Sequence, residues 1–247
     1  MFMSTFLKRI LFGDYSEVGL SNKKTRHDWI KETLRSIPSG ESILDAGAGE
    51  CQFAQNCSHL QYTAQDFSQY NGSGDGKGIQ TGEWNTSRID IVSDITDIPT
   101  KSGTFDNVLC TEVFEHVPDP VSAIKELVRV LKPGGRLIVT VPFASLTHFS
   151  PYHFASGLNV HFFTHWSNEL GLDIEELKYN GNYFEFLAQE VIYSENVSRD
   201  YNGPSTPLKV KLAKRIFLAW LKKASKSASG SEELLAFGIH FVGRRRS

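Results

Sequence analysis

The chain has 247 residues, 40% of them hydrophobic, and a formal net charge of −2. This length allows one sizeable hydrophobic core and is short for two full domains, so we expect a single domain, 1–247, with insertions. The small net charge gives no general reason to expect a nucleic-acid partner. Positive charge is concentrated in 200–247, where ten Lys and Arg residues stand against three Asp and Glu residues, so any basic surface is local.

The cysteines and the first residues exclude further classes. Cys51, Cys57 and Cys110 have no C-x-x-C spacing and leave an odd thiol after any pairing, so neither a disulfide framework nor a zinc-cysteine site is predicted. Charge interrupts the first apolar run after seven residues, which argues against a signal peptide. No run reaches the length of a membrane span, and we expect a cytoplasmic protein.

The first predicted elements are a helix and a strand that enters a glycine turn. Residues 22–36 predict the helix, because their apolar side chains share one side and Pro38 follows. The strand ends at Asp45 and is followed by Gly47 and Gly49. Glycine lets the backbone approach a ligand, and a helix predicted over 52–59 would add free N–H groups. A dinucleotide fingerprint needs a third glycine where Gln52 stands, so NAD is not predicted, and a purely structural turn is the alternative.

Strands and helices then alternate along the chain, as in a parallel α/β sheet. Asp66 ends the second predicted strand, 62–66, and follows Gly49 at the distance at which a βαβ unit places an acid beside a ribose. The alternative is that Asp66 caps a turn. Residues 71–78 are too rich in glycine for a helix or strand and predict an exposed loop. The later elements are predicted as follows: strands over 89–95, 105–112, 136–141, 174–179 and 235–242, and helices over 121–131, 183–192 and 208–224.

Two segments carry a resemblance to a known family. The run LDAGAG at 44–49 and the run LKPGGRL at 131–137 together resemble motifs of the class I S-adenosylmethionine (SAM) methyltransferases. FDNV at 105–108 and EHVPDP at 115–120 resemble the subgroup that methylates small molecules. The resemblance implies a Rossmann-like, seven-stranded, mostly parallel sheet with a reversed last strand and helices on both faces. Cys51, where the family often has glycine, and the loop at 71–78, where it has a helix, depart from the pattern.

The same resemblance implies that SAM is the cofactor and that helices within 1–40 cover it. Arg26 either meets the SAM carboxylate or is a solvated charge. An acid on the second strand accepts hydrogen bonds from the ribose hydroxyls, and an acid with its neighbour after the third strand contacts the adenine. The cofactor-binding residues implied are Asp45, Gly47, Gly49, Asp66, Asp94, Ile95, Thr111 and Glu112.

The acceptor side is predicted in the segment 142–170, which in the family covers the acceptor. If the acceptor is a hydroxyl, its proton needs a base, and the candidates are His116, His148 and His153. The alternative for His116 is that it braces its turn. His161 and His165 have a metal-ligand spacing, but no carboxylate shares it and transfer from a sulfonium needs no metal, so no metal site is predicted.

The acceptor itself is left open by the sequence. Residues 151–154 and 181–185 resemble methyltransferases of bacterial surface-polysaccharide biosynthesis, which implies a sugar hydroxyl or another glycan acceptor. A small aromatic or quinone-like acceptor is one alternative, and a non-catalytic SAM-binding scaffold is another. Oligomeric state is not predicted.

A basic helical insertion is predicted over 200–230. Its helix, 208–224, has one apolar face that either packs on the sheet or rests on an anionic membrane, in which case the protein is peripheral to the inner face of that membrane. The predicted face consists of Leu208, Leu212, Ile216, Phe217, Trp220 and Leu221.

Overall fold

The computed structural model describes residues 17–247 and contains one seven-stranded sheet in the order β3-β2-β1-β4-β5-β7-β6. Strands β1 to β5 pair in parallel and β7 is antiparallel to β5, so the predicted fold class with its reversed last strand is confirmed. The strands are β1 (Ser42–Ala46), β2 (Gln61–Asp66), β3 (Ile91–Val92), β4 (Phe105–Thr111), β5 (Leu131–Pro142), β6 (Leu172–Asn180) and β7 (Gly238–Arg245). The helices are α1 (Asn22–Arg35), α2 (Pro120–Val130), α3 (Val160–Glu169), α4 (Tyr183–Asp200) and α5 (Leu208–Ser227).

The central strands are buried on both faces, which explains why they are continuous apolar runs rather than alternating ones. Leu44 on β1 and Val108 on β4 are paired neighbours and are fully buried. Trp29 and Leu34 of α1 pack in the same core cluster as Ile138 of β5. The apolar spacing that predicts α1 is therefore the spacing of its buried side.

The chain divides into two compact units. The larger unit contains 26–178 and 238–247, and with them all the residues predicted to bind cofactor or acceptor. The smaller unit contains 179–237 and, among the described residues, 17–25. The predicted helices within 1–40 fall partly on residues 1–16, which lie outside the described part of the chain.

In the smaller unit, α5 packs against α4 through a face different from the predicted one. Leu218 and Leu221 are buried in one cluster with Ala188 of α4 and Val18. Of the predicted apolar face, only Leu221 is buried, because the α4 contact uses the side of the helix that carries Leu218. The other five predicted residues are exposed: Leu208, Leu212, Ile216, Phe217 and Trp220.

The helix predicted over 52–59 is wrong. Only a single 3₁₀ turn, Ala54–Cys57, forms there, and no side chain caps it. Asn56, Cys57 and Ser58 are poor helix formers, and without a cap the segment has little to stabilise an α-helix. The glycine turn is therefore not followed by an α-helical N-terminus, and backbone N–H groups must serve a ligand without a helix dipole.

Several element boundaries also differ from the prediction. The third strand is limited to Ile91–Val92, because the Asp94 carboxylate accepts hydrogen bonds from the backbone N–H and hydroxyl of Thr96 and turns the chain. The helix predicted over 121–131 ends at Val130. The Pro-Gly-Gly segment that follows therefore lies inside β5, beside a register shift against β4. The last strand begins at Gly238, after a 3₁₀ turn.

The loop at 71–78 has no regular structure, as predicted, and is docked on the segment that follows β5. The Asp75 N–H donates to the Ser150 carbonyl oxygen, and Ile79 forms a parallel bridge with His148. Gly74 has φ 49°, and a Cβ there would lie 1.8 Å from the Ser150 oxygen. Glycine is thus required at position 74 for the close approach to Ser150. The bridge from Ile79 holds the backbone of His148.

Candidate active site

The turn after β1 has the backbone conformation that its glycines predict. Gly47 has φ 72° and Gly49 has φ 51°, values at which other L-residues are strained. A Cβ on Gly47 would lie 2.5 Å from the side chain of Val113, and one on Gly49 would lie 2.5 Å from Trp84. Cys51 takes φ 56° at the position where the family often has glycine. The turn therefore keeps the backbone shape that the resemblance implies, at some cost in strain.

Asp66, at the end of β2, holds this turn from the neighbouring strand. It is 6% exposed; its Oδ2 accepts a hydrogen bond from the Gly49 N–H at 2.9 Å and its Oδ1 accepts one from the Ser68 N–H at 2.7 Å. Asp66 thus caps the turn in this structure, as the alternative interpretation predicts. Each carboxylate oxygen keeps a further lone pair, so the role of Asp66 towards a ribose stays a prediction.

Asp45 lies at the end of β1 and is 2% exposed. Its Oδ2 accepts a hydrogen bond from the Tyr62 hydroxyl at 2.6 Å. Burial, partly offset by this hydrogen bond, raises the pKa of Asp45 to about 6, and the charge of Asp66 contributes to the increase. The chain therefore buries a carboxylate that is costly to ionise, beside the turn at which a ligand is expected.

This buried acid predicts a specific pH dependence of stability. Its pKa of about 6 in the folded state exceeds the ordinary 3.8 of the unfolded state, so its stabilising contribution is full below pH 3.8 and is lost as pH rises through 6. Relative to the Asp45→Asn variant, the parent should gain about 2.4 kcal/mol of unfolding free energy between pH 7 and pH 4. Urea unfolding of both proteins across this range measures the difference. Parallel pH profiles would contradict a raised pKa at Asp45.

The remaining predicted cofactor residues follow the carboxyl ends of β3 and β4, where ligands bind in open parallel sheets. Asp94 is exposed and lies two residues after β3, and Ile95 beside it is 7% exposed. Thr111 is the last residue of β4 and is 9% exposed. The sheet therefore aligns these positions along one edge with Asp45 and Asp66, and their contacts with a cofactor stay predictions.

Glu112 differs from its neighbours because it has an unfavourable backbone and an ionic partner. Its φ is 54°, and its N–H donates to the Thr140 carbonyl oxygen. Its carboxylate accepts a hydrogen bond from the Arg26 guanidinium at 2.6 Å. Strained non-glycine residues of this kind concentrate at functional sites. Arg26 is thus neither a solvated charge nor free for a carboxylate ligand in this state.

Gln65 is a site residue that the sequence reasoning missed. Its backbone carbonyl accepts hydrogen bonds from the N–H groups of Gly47 and Ala48, and its side-chain oxygen accepts a second one from the Gly47 N–H at 3.2 Å. The side-chain amide donates to the Ser93 carbonyl oxygen at 2.7 Å. Gln65 therefore ties the glycine turn to β3, and only its position beside Asp66 could have suggested this.

Three candidate bases come together although 37 positions of chain separate the first from the last. The ring centroids of His116 and His148 are 4.6 Å apart, and those of His148 and His153 are 4.8 Å apart. His161 and His165, which suggested a metal by spacing, are exposed on α3. The three histidines predicted for the acceptor side therefore lie together between the end of β4 and the segment after β5.

His116 is poorly suited to be the base. Its Nδ1 is 2.6 Å from the Tyr152 carbonyl oxygen, which fixes the ring. Burial lowers the pKa of His116 to about 3, and His148 beside it adds to this shift. A base of this pKa has little driving force to take a proton near neutral pH, which favours the alternative in which His116 braces its turn, and its role as the base stays a prediction.

His153 has a nitrogen better prepared to accept a proton. Its Nε2 lies 3.3 Å from the Ser145 hydroxyl, and that hydroxyl donates to the Ser156 carbonyl oxygen at 2.8 Å. Because the hydroxyl proton is used on Ser156, Nε2 is the donor in the first contact, and Nδ1 carries the lone pair. Burial and the neighbouring His148 lower the pKa of His153, so the ring is neutral near pH 7.

Glu115 is the second residue that the sequence reasoning missed. Its side chain is 1% exposed, and burial, with the charge of Glu112 next, raises its pKa well above the ordinary value. Its backbone carbonyl accepts hydrogen bonds from the N–H groups of Phe154 and Ala155, which anchors the segment after β5. An acid directly before His116 in an otherwise apolar stretch was the available signal.

Aromatic rings surround the histidines. Phe149 stacks on Tyr70 with ring centroids 4.5 Å apart and on His116 at 5.0 Å. Trp84, which covers Gly49, meets Phe149 edge-on at 5.3 Å. An aromatic cluster therefore lies between the glycine turn and the histidines, and flat apolar rings pack favourably against such side chains.

Comparison with known families agrees with this geometry. Residues 44–139, from β1 to β5, match the model of a methyltransferase domain. Over these residues the chain is similar to a methyltransferase domain. The matched residues include the glycine turn, Asp66 and Asp94, and His116, whereas the segment after β5 with His148 and His153 lies beyond the match.

Two curated relatives are similar to part of this chain. A ubiquinone biosynthesis O-methyltransferase of Xanthomonas axonopodis pv. citri is 32% identical over 111 residues, which are 44% of this chain and 46% of that protein. A demethylmenaquinone methyltransferase of Clavibacter sepedonicus is 35% identical over 119 residues, 45% of this chain and 46% of that protein. The chain thus spans about half the length of the curated relatives it matches.

A solved structure is similar to this chain over nearly its whole length. A SAM-dependent methyltransferase from Archaeoglobus fulgidus superposes with a TM-score of 0.52 and 13% identity, covering 98% of this chain and 100% of that one. At this identity the likeness concerns the fold, which is the Rossmann-like methyltransferase fold that the sequence predicts. The expected similarity to polysaccharide-biosynthesis methyltransferases is not supported by these relatives.

Proposed function

We propose that this protein transfers a methyl group from SAM to a hydroxyl of a small-molecule acceptor. The observation that carries the proposal is the glycine turn at 46–51 with Asp66 beside it, inside the segment that matches the methyltransferase domain. Gly47 and Gly49 leave the backbone open for close approach, and Asp66 and Asp94 offer carboxylate oxygens to ribose and adenine donors. Asp45, Ile95, Thr111 and Glu112 complete the proposed cofactor edge.

For the acceptor, we favour a quinone-like aromatic ring over a sugar. The relatives named above are methyltransferases of ubiquinone and menaquinone formation, and none of them is a glycan enzyme. The aromatic cluster of Tyr70, Trp84 and Phe149 supports the same choice, because a flat ring that packs against it gains stacking and apolar burial. The segment 142–170 is proposed to cover this acceptor.

The proposed reaction is an in-line displacement in which the sulfonium supplies an activated methyl group. The acceptor oxygen forms a bond to the methyl carbon while the carbon–sulfur bond breaks, which leaves S-adenosylhomocysteine and a methyl ether. The protein aligns the two reactants and excludes water, and a base takes the hydroxyl proton. Nδ1 of His153 is the proposed proton acceptor.

Two experiments test this function. Calorimetry should detect binding of SAM and of S-adenosylhomocysteine and no binding of NAD, since Gln52 stands where a dinucleotide site needs its third glycine. Labelled SAM should then transfer its methyl group to a phenolic quinol acceptor and not to a sugar hydroxyl. Transfer to the sugar alone would restore the glycan interpretation, and SAM binding without any transfer to cell extract would indicate a scaffold.

We also propose that α5 contacts an anionic membrane surface at its periphery. Within residues 17–247, no helix combines the length and the hydropathy needed to cross a bilayer. On α5, however, Ile216 is 54% exposed and Trp220 is 53% exposed, next to several lysines. A helix with exposed apolar and basic side chains binds anionic lipid by inserting the former and attracting headgroups with the latter.

Vesicle sedimentation tests this contact. The parent should sediment with anionic vesicles at low salt and less at high salt, because the attraction is screened. A double variant, Ile216→Ser with Trp220→Ser, should lower the partition coefficient by at least about tenfold through lost apolar burial. Ile174→Ser, on β6, removes an exposed apolar side chain elsewhere and should have no effect. If the parent stays in solution at low salt, the membrane proposal is wrong.

A further inference from the structure

Three side chains near the proposed acceptor site converge on one point. We call Glu115, His116 and His148 the Glu115 cluster. Its three ligand-type atoms, one from each residue, all lie within 4.8 Å of one another. The Glu115 Oε1 is 3.7 Å from the His116 Nε2 and 4.0 Å from the His148 Nε2. These distances are too long for hydrogen bonds between the members.

Backbone contacts fix which nitrogen of each ring faces Glu115. The His116 Nδ1 is 2.6 Å from the Tyr152 carbonyl oxygen, and the His148 Nδ1 is 2.8 Å from the Leu146 carbonyl oxygen. A carbonyl oxygen only accepts, so both Nδ1 atoms carry the proton and donate it. Both Nε2 atoms then present a lone pair towards Glu115. This is the outer-shell arrangement that orients histidines that bind a metal.

Glu115 adds a third acceptor to the two lone pairs. Its side chain is 1% exposed, and within residues 17–247 neither of its oxygens accepts a hydrogen bond from another residue. Burying a carboxylate without a donor is expensive, and native structures usually supply a partner. With Glu115 ionised, the Glu115 cluster therefore places three acceptors around a space that holds no donor, which is the environment that a cation stabilises.

We infer that the Glu115 cluster binds a divalent transition-metal ion of the zinc class. Two imidazole nitrogens with one carboxylate oxygen form a ligand set of catalytic zinc sites, which keep a fourth position open. Magnesium and calcium prefer oxygen ligands and are disfavoured by the histidines. Tetrahedral zinc separates its ligands by about 3.4 Å, so the two Glu115 separations of 3.7 and 4.0 Å must shorten slightly, and the limit of 4.8 Å over all three atoms allows the two histidines to be farther apart than that.

The open position gives the ion a role in the proposed reaction, and this step rests on the proposed function. An ion held by Glu115, His116 and His148 would supply Lewis acidity to an acceptor hydroxyl, and Nδ1 of His153, whose ring is 4.8 Å from that of His148, would take the hydroxyl proton. The resulting oxygen anion attacks the methyl carbon of SAM, and the sulfur leaves with the bonding electrons. The ion itself is neither oxidised nor consumed.

Zinc titration of the full, chelator-treated chain against a chromophoric chelator tests the site. The parent should bind one equivalent. Glu115→Gln and His148→Ala should each weaken zinc binding by more than about 100-fold, since loss of an outer-shell partner alone costs roughly 10- to 100-fold. His161→Ala removes an exposed histidine outside the cluster and should leave the affinity within twofold. Zinc should also raise the unfolding midpoint of the parent and not of the two cluster variants.

The outcomes separate the metal site from the proposed function. No stoichiometric zinc binding by the parent, or equal loss in the His161→Ala control, would overturn the site. Co²⁺ in place of zinc should give visible absorption bands of a tetrahedral complex, which Glu115→Gln should abolish while keeping the parent's circular dichroism. Zinc binding without methyl transfer would leave the site standing and refute the function, and full transfer in chelator would leave the function standing and refute the ion's role in it.

Discussion

Replacing Asp66 with alanine should weaken SAM binding by about 1.5–3 kcal/mol, or roughly 10- to 150-fold, without unfolding the chain. The change removes the proposed acceptor of the ribose hydroxyls. It also releases the Gly49 N–H, held at 2.9 Å, and the Ser68 N–H, held at 2.7 Å, so the glycine turn loses its support from β2. Calorimetric titration with SAM and with S-adenosylhomocysteine measures the effect.

Two further variants define the role of Asp66. Asp66→Asn keeps one acceptor oxygen in nearly the same position and should lose less affinity than Asp66→Ala. Asp97→Ala removes an exposed acid close in sequence to Asp94 and should leave affinity within twofold. If Asp66→Ala itself binds SAM within twofold of the parent, Asp66 only caps the turn and another acid must bind the ribose.

Replacing His153 with alanine should lower the turnover number by roughly 10²- to 10⁴-fold, the contribution of a positioned general base. SAM affinity should change little, because His153 lies in the segment after β5 and not at the glycine turn. The loss should be smallest at high pH, where the acceptor hydroxyl loses its proton without help. Steady-state kinetics with a phenolic acceptor, measured from pH 6 to pH 10, gives turnover and Michaelis constant separately.

The other histidines provide the comparison for this result. His116→Ala should lower turnover without removing the base, because a pKa of about 3 makes the His116 side chain a weak base. His161→Ala, on the exposed side of α3, should have near-parent kinetics. Parent-like turnover of His153→Ala at neutral pH would mean that alignment of the reactants suffices for catalysis, or that the acceptor is a carbon or an amine.

The fold was largely predictable because its signals are local. An apolar run such as β1 has no polar face, which indicates a strand buried on both sides of a parallel sheet. Gly47 and Gly49 mark positive φ angles that are set by the backbone at each residue. The two elements that were predicted wrongly also have local causes. The weak helix formers at 56–58 gave only a 3₁₀ turn, and the Asp94 side chain ended β3 early.

The surface of α5 shows where local periodicity stops being informative. The three- and four-residue spacing correctly predicts an amphipathic helix, and it begins at Leu208 as expected. Which side is buried depends on the partner helix: Leu218 and Leu221 face α4, and Trp220 is left exposed. When the apolar face of a helix is wider than its contact with the neighbouring helix, the sequence does not tell which part of that face is covered.

By itself, the sequence determined the sheet, the glycine turn and the acids at the strand ends, because strand periodicity, glycine φ angles and βαβ spacing are properties of contiguous residues. Only the tertiary structure decided the chemistry of the acceptor side. Glu115 and His148 are 33 positions apart, and they meet because the 71–78 loop and the carbonyl of Glu115 both anchor the segment after β5. The tautomers of His116 and His148 likewise depend on carbonyl oxygens that only this folding of the backbone brings to them.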